Sequence, residues 1–531
     1  MFFFYFALVS FTAPGSSVLK TKQWLFYLLL ALPLLYPILL KPSEQLYSDH
    51  LGKFVLGESV LRNHFRSGDL ALPSKYLDRQ SRFCPTECIR IDEEVISPFP
   101  AALGYFYALI LPWGGIEGVY IVTSLFVLAS LFLLSILWER SLAFLSILVL
   151  STPFLVNGYF FPDVGIAAFL FTLGSFLFLR ADEKSSSILF LFAGLASAFA
   201  GWFRIEALAF PASFLFFLFW FRFRIREERK GIWFYLFGYL AGAFLLLGIQ
   251  YLLYHHPMGP RFSFNQPTMF ISPLRKGEIY LGLLIANPNR IGFFGYTPIF
   301  AIVLLFSGYF LFFKTNFIRN REGADTLSKR NIFVISNLAA FVLLVLSAPN
   351  DGIIDFGSRY LHLSLPGFVG MLLVFSDSVS NRFKKIPKIF GILLLIFSTY
   401  ITFSYTQILS RFGRKSTKMN QVYLDQKPDL VVVQVRTHAQ ILGKYFFQTP
   451  SVWLVKEAWV KLFFSENDPN QFSKILFIQS KAAFPANSKP EDLFQKNSYY
   501  QVAREMLGPK FEKDFVENRE DVLIFTMKRR D

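Results

Sequence analysis

The feature that most constrains this chain is a series of long apolar runs with few or no formal charges. Ile116–Leu137, Ile232–Leu253 and Phe293–Phe313 each reach the roughly twenty residues that a helix needs to cross about 30 Å of hydrocarbon. Lipid offers no hydrogen bonds to an open backbone, so segments of this kind must be helical to satisfy their own N–H and C=O groups. The chain is therefore expected to be an α-helical polytopic membrane protein. Its composition agrees, with 53% of its 531 residues hydrophobic and 67 of them Phe, more apolar than a soluble domain of this size. A formal charge of +16 would raise the question of nucleic acid in a soluble protein. In a membrane protein, Lys and Arg gather in cytoplasmic loops and beside anionic headgroups, so the expected partner is the lipid bilayer and not nucleic acid.

Charge also gives the expected topology. Lys20 and Lys22 precede the first span, Trp24–Leu40, and hold its start in the cytoplasm. Phe99–Pro112, ended by Pro112, Gly114 and Gly115, is short for a span and is read as re-entrant or interfacial. The remaining spans then fall at 116–137, 141–157, 164–180, 187–203, 205–221, 231–253, 293–313, 331–347, 361–376 and 386–408, about eleven in all. This places Arg140, Arg180, Lys184, the cluster from Arg222 to Lys230, Lys314 to Arg330, and Arg382 to Lys388 in the cytoplasm. If Phe99–Pro112 crossed, nearly all of them would lie outside, against the positive-inside bias.

Two domains follow. Residues 1–409 form a transmembrane domain with a long first outer loop, 41–115, in which His50–Phe65 is expected to be an amphipathic helix lying on the membrane. Residues 410–531 form a small extracytoplasmic α/β domain, with strands expected at Leu430–Val435, Ser451–Val455, Ile475–Gln479 and Asp521–Thr526, and helices at 437–446 and 491–506. Cys84 and Cys88 lie in the outer loop. An exported loop is an oxidising setting, so a local disulfide is one reading and two free thiols the other. With no accompanying His cluster, zinc is not expected.

On these sides the polar residues at outer helix ends form a small set: Asp49 beside His50, Asp163 in Phe161-Pro162-Asp163, Arg204 and Glu206 in Arg204-Ile205-Glu206, and Arg359 and Tyr360 in Gly357-Ser358-Arg359-Tyr360. Taken singly, each reads more readily as an interfacial anchor or, for Asp49 and Asp163, a helix cap than as a catalytic group. Together, two carboxylates and two arginines at one face supply a base for an acceptor and cations for a phosphate. A transporter or a lipid or glycan flippase is the rival reading, but such proteins place ionisable groups near the midplane, whereas these spans carry charge at their ends.

In this pattern the sequence resembles the GT-C superfamily of polytopic glycosyltransferases, which use polyprenyl-phosphate sugars. The resemblance rests on Asp49 in a long first outer loop, Pro98-Phe99-Pro100 opening a short apolar run, Asp163 before a later span, and Gly357 to Tyr360 in a late outer loop. It implies inverting transfer of a sugar from a polyprenyl phosphate donor to a lipid, glycan or protein acceptor outside the cytoplasm, most naturally at a bacterial inner membrane with the site on the periplasmic side. By the same resemblance Asp49 is the base, with His50 beside it; Arg359 and Tyr360, and alternatively Arg204, hold the donor phosphate; Glu206 supports Arg204; and Asp163 assists the base. Relatives with paired acids at the second acidic position bind Mg²⁺ or Mn²⁺. Asp163 has no acidic neighbour, so a divalent cation at Asp49 or Asp163 is the secondary expectation and a metal-independent reaction the primary one.

Overall fold

The computed structural model describes residues 16–47, 49–184, 186–223, 225–265, 272–288, 290–305, 329–348, 357–379, 386–481, 497–519 and 522–530. The chain divides into two compact units. One comprises Met1–Leu39 with Gly118–Ile408, and the other Leu40–Glu117 with Leu409–Asp531.

The first unit is helical. Among the described residues, six helices are long and apolar enough to cross a membrane: Thr21–Leu40, Ala101–Leu137, Pro162–Ala181, Ile205–Arg222, Glu228–Tyr254 and Ile389–Gln426. The bent pair Leu142–Leu150 and Phe154–Phe160, meeting at 56°, makes a seventh. The bend falls at Pro153, which has no N–H to give and disfavours helix at the residue before it. Ser187–Phe203, Asn331–Ser347 and Arg359–Val374 are shorter apolar helices, so three of the expected spans are less than full length. The expected span 293–313 lies mostly outside the described residues. Tight packing rests on small residues: a Cβ on Gly194 would come 2.1 Å from the Tyr235 carbonyl, and one on Gly238 2.1 Å from that of Leu191. The two backbones therefore meet in a way that larger side chains would prevent.

The second unit combines the first long loop with the C-terminal segment, whereas the sequence reading grouped loop 41–115 with the membrane domain. The run beginning at Phe99 is helical from Ala101, and Pro112 does not end it. Only Gly115 leaves the helical region, with φ 58° and ψ −158°, and the two units divide between Glu117 and Gly118. The expected surface helix is present as Asp49–Arg62, but it is not amphipathic in use. His50 to Gly57, Ser59 and Val60 are all buried. Gly57 leaves room for Tyr107, whose Cβ lies 2.3 Å from where a Gly57 Cβ would be, and Gly104 does the same for Leu56 at 2.7 Å. The helix is thus clasped by protein.

The C-terminal sheet has five strands in the order Ser451–Trp453, Leu430–Val433, Lys474–Ser480, Val522–Arg529 and Phe511–Asn518. The first three are parallel and the last two antiparallel to their neighbours. Leu430–Val433 is apolar at every position and fully buried, as a strand covered on both faces must be. Its core includes Val432, Val452, Phe477 and Phe525, together with Phe83 from the first loop. Phe83 also accepts a hydrogen bond from the Trp453 N–H at 2.8 Å. Cys84 and Cys88, next along that loop, are joined as a disulfide. The expected helix 437–446 is instead two 3₁₀ segments, Arg436–Ile441 and Gly443–Tyr445. The expected helix 491–506 is described as Ser498–Leu507. The helix Glu457–Glu466 and the strand Phe511–Asn518 were not anticipated.

Candidate functional site

Five of the expected site residues meet in the first unit. Asp163 lies in the first turn of the helix Pro162–Lys184, where Pro at the opening position and an acid beside it suit a helix N-terminus. Arg204 ends the helix Ser187–Phe203 in extended backbone before the 3₁₀ turn Ile205–Leu208. From there its guanidinium reaches Asp163, with Nη1 donating to Oδ2 at 2.9 Å, and Glu206, with Nε donating to Oε1 at 2.7 Å. Nη2 also donates to Glu206. The side chains of Arg204, Asp163 and Glu206 are 5%, 4% and 16% exposed. This is a buried triad in which one cation is shared by two carboxylates. Ion groups taken out of water persist only when charge and hydrogen bonds are met in this way.

Arg359 and Tyr360 open the 3₁₀ helix Arg359–Ser364. The chain enters it through Gly357 (φ 74°) and Ser358 (φ 51°). A side chain at Gly357 would strike Pro153, whose Cγ lies 2.5 Å from the Cβ position. Arg359 places its guanidinium 4.7 Å from the centre of the Phe161 ring, and that of Arg204 lies 5.5 Å from the Tyr360 ring. Both are within cation–π range. Arg261 Nη2 donates to the Tyr360 hydroxyl at 3.4 Å. Arg204, Arg261 and Arg359 thus stand against two carboxylates, so the group as a whole is cationic. Phe161 and Arg261 were not assigned to it from the sequence; Arg261 was visible only as one of several cations in a long loop.

Asp49 and His50 belong to the second unit. Asp49 is the first residue of Asp49–Arg62 and is partly exposed, while His50 is buried. Lys53, 1% exposed and 5.5 Å from the Phe99 ring centre, was not anticipated. It stands four residues after Asp49 on the same helix face, which is the signal that could have found it.

The donor set around Asp163 does not suit a divalent cation. Mg²⁺ and Mn²⁺ take several oxygen ligands, but here a guanidinium fills the space between the two carboxylates. Among the described residues no group of three or more His, Cys, Asp or Glu side chains could hold a metal.

No family model matches the sequence, and no curated protein matches it. Among solved structures, the chain is similar to the crystal structure of ArnT from Cupriavidus metallidurans bound to undecaprenyl phosphate. The TM-score is 0.50 at 11% identity, over 97% of this chain and 98% of that one. Both chains are covered almost end to end, so the likeness extends to the membrane helices and the C-terminal sheet alike. The chain is an integral membrane protein with the GT-C fold.

Proposed function

We propose that this protein is a glycosyltransferase that takes a sugar from a polyprenyl-phosphate donor and gives it to an acceptor outside the cytoplasm, at a bacterial inner membrane. The observation that carries the reading is the cationic, aromatic group of Arg359, Tyr360, Arg261 and Phe161 in a chain whose fold is that of ArnT. Arg359 is the phosphate ligand in this reading, as the resemblance at Gly357 to Tyr360 implies, and Arg204 is the residue that holds Asp163 and Glu206. A guanidinium suits phosphate because its planar fork donates two parallel hydrogen bonds. Asp49 is the base: it removes the proton of an acceptor hydroxyl or amine as that atom attacks the anomeric carbon and the bond to the lipid phosphate breaks, with inversion. Asp163 is a structural member of the Arg204 triad.

In proteoliposomes supplied with polyprenyl-phosphate sugars, Asp49→Asn should lower transfer by about 10²–10⁴-fold while the protein still inserts and folds. Full transfer by the variant would contradict the role of Asp49. Sidedness is tested by cysteines introduced at Gly114 and Ser141: labelling from outside at Ser141 but not at Gly114 would overturn the periplasmic assignment.

A further inference from the structure

Residues three apart in a 3₁₀ helix lie on one edge, because the helix has three residues per turn. In Arg359–Ser364 that rule puts His362 on the same edge as Arg359. The edge lies along the helix Phe154–Phe160: His362 stacks on Phe154 with ring centres 4.7 Å apart and planes 15° from parallel, and Arg359 covers Phe161. Phe154 and Gly158 are an i, i+4 pair on one face of that helix, and Phe161 follows as its C-cap in extended backbone. A Cβ on Gly158 would meet Val127 Cγ2 at 3.1 Å and His362 Nε2 at 3.8 Å, so the imidazole edge lies close against this helix at its glycine.

His362 is 1% exposed, yet neither of its ring nitrogens has a hydrogen-bond partner among the described residues. Ser358 and Ser364, at the two ends of this 3₁₀ segment, also bury hydroxyls without a partner among the described residues. A core position of this kind would ordinarily be apolar, since an unmet buried polar group is costly. The turn is also entered through Ser358 at φ 51°, a conformation that non-glycine residues rarely adopt and that gathers at ligand sites. Orphaned donors and a strained entry beside a guanidinium point to a ligand.

We infer that His362 donates a ring N–H to the same phosphate that Arg359 binds, an inference that rests on the phosphate site proposed above. The guanidinium supplies charge. The imidazole supplies a directed donor, held in orientation by Phe154, and it has at least one N–H in either charge state.

The test uses the full chain in nanodiscs, titrated with undecaprenyl phosphate and, separately, with undecaprenol. His362→Phe keeps the stack on Phe154 and removes the donor, while His362→Gln keeps a side-chain N–H. The Phe variant should lose about ten- to a hundredfold in affinity for undecaprenyl phosphate and none for undecaprenol, and the Gln variant should stay within a few-fold of wild type. Wild-type affinity in the Phe variant, or equal losses in both variants, overturns the inference. Should the Phe variant fail to fold, the imidazole ¹⁵N signal of His362, assigned by its loss in the Gln variant, is followed instead: a shift on adding undecaprenyl phosphate but not undecaprenol is expected, and no shift overturns it. Displacement of the lipid by millimolar inorganic phosphate would make a free ion the ligand and overturn the lipid source. Arg359→Ala separates the two levels of the claim. If it loses binding while His362→Phe does not, only the role of His362 falls; if it too binds like wild type, the phosphate site itself falls.

Discussion

Arg204 and Asp163, 41 residues apart in sequence, form a buried ion pair at 2.9 Å, and Glu206 holds the other side of the same guanidinium. The two single removals are therefore unequal. Asp163→Asn leaves Arg204 paired with Glu206, whereas Arg204→Ala removes the one guanidinium that hydrogen-bonds both Asp163 and Glu206. Breaking a buried pair by removing one partner costs about 3–5 kcal/mol, and Arg204→Ala breaks two, so it should lower the thermal midpoint in detergent by more than Asp163→Asn. An equal or reversed order would mean that Glu206 does not share the cation.

Close packing of Asp49–Arg62 against the helix that begins at Ala101 depends on Gly57. Gly57→Ala would drive a methyl into the Cβ of Tyr107, a backbone-level clash that no rotamer relieves. Overpacking of this kind costs about 1–3 kcal/mol. Gly277, on the helix Pro273–Leu284, has nothing within 4 Å of its Cβ position. Gly277→Ala should therefore be neutral or stabilising by roughly 0.5–1 kcal/mol. Unfolding of the two variants by denaturant gives the comparison directly.

In the C-terminal domain, burial pushes the Tyr499 phenol above its ordinary value of 10.0, and the charge of Glu457 acts in the same direction. Its hydroxyl donates to the Leu454 carbonyl at 2.8 Å. A pKa that is raised on folding stabilises the fold fully below the unfolded value, and that contribution is lost as pH climbs above it toward the folded value. Stability should fall above pH 10 in the wild type. Tyr499→Phe should lower stability at neutral pH by about 1 kcal/mol and make the alkaline decline shallower. A decline of unchanged slope in the variant would assign it to other groups.

The membrane helices were legible in the sequence because hydropathy alone demands them. Their interruptions were less so: Pro153 bends a helix pair, while Pro112 sits inside a helix and the break waits for Gly115. The helix at Asp49 was located correctly but misread as a surface element, since its wide apolar pattern does not say whether lipid or protein covers it. The strand Phe511–Asn518 was missed because a register shift between Lys513 and Phe515 breaks the alternation by which strands are recognised. At the candidate site the residue types were legible, but not their pairing. That Arg204 is committed to Asp163 and Glu206, and that His362 shares an edge with Arg359, follows from tertiary packing.

The central claim is that Arg359 binds the phosphate of a polyprenyl carrier. Its most direct test is the affinity of the wild type and Arg359→Ala in nanodiscs for undecaprenyl phosphate and undecaprenol. The account predicts that the wild type prefers the phosphorylated lipid and that Arg359→Ala removes this preference while still binding undecaprenol. Equal affinity of the wild type for the two lipids, or an undiminished preference in Arg359→Ala, would contradict it.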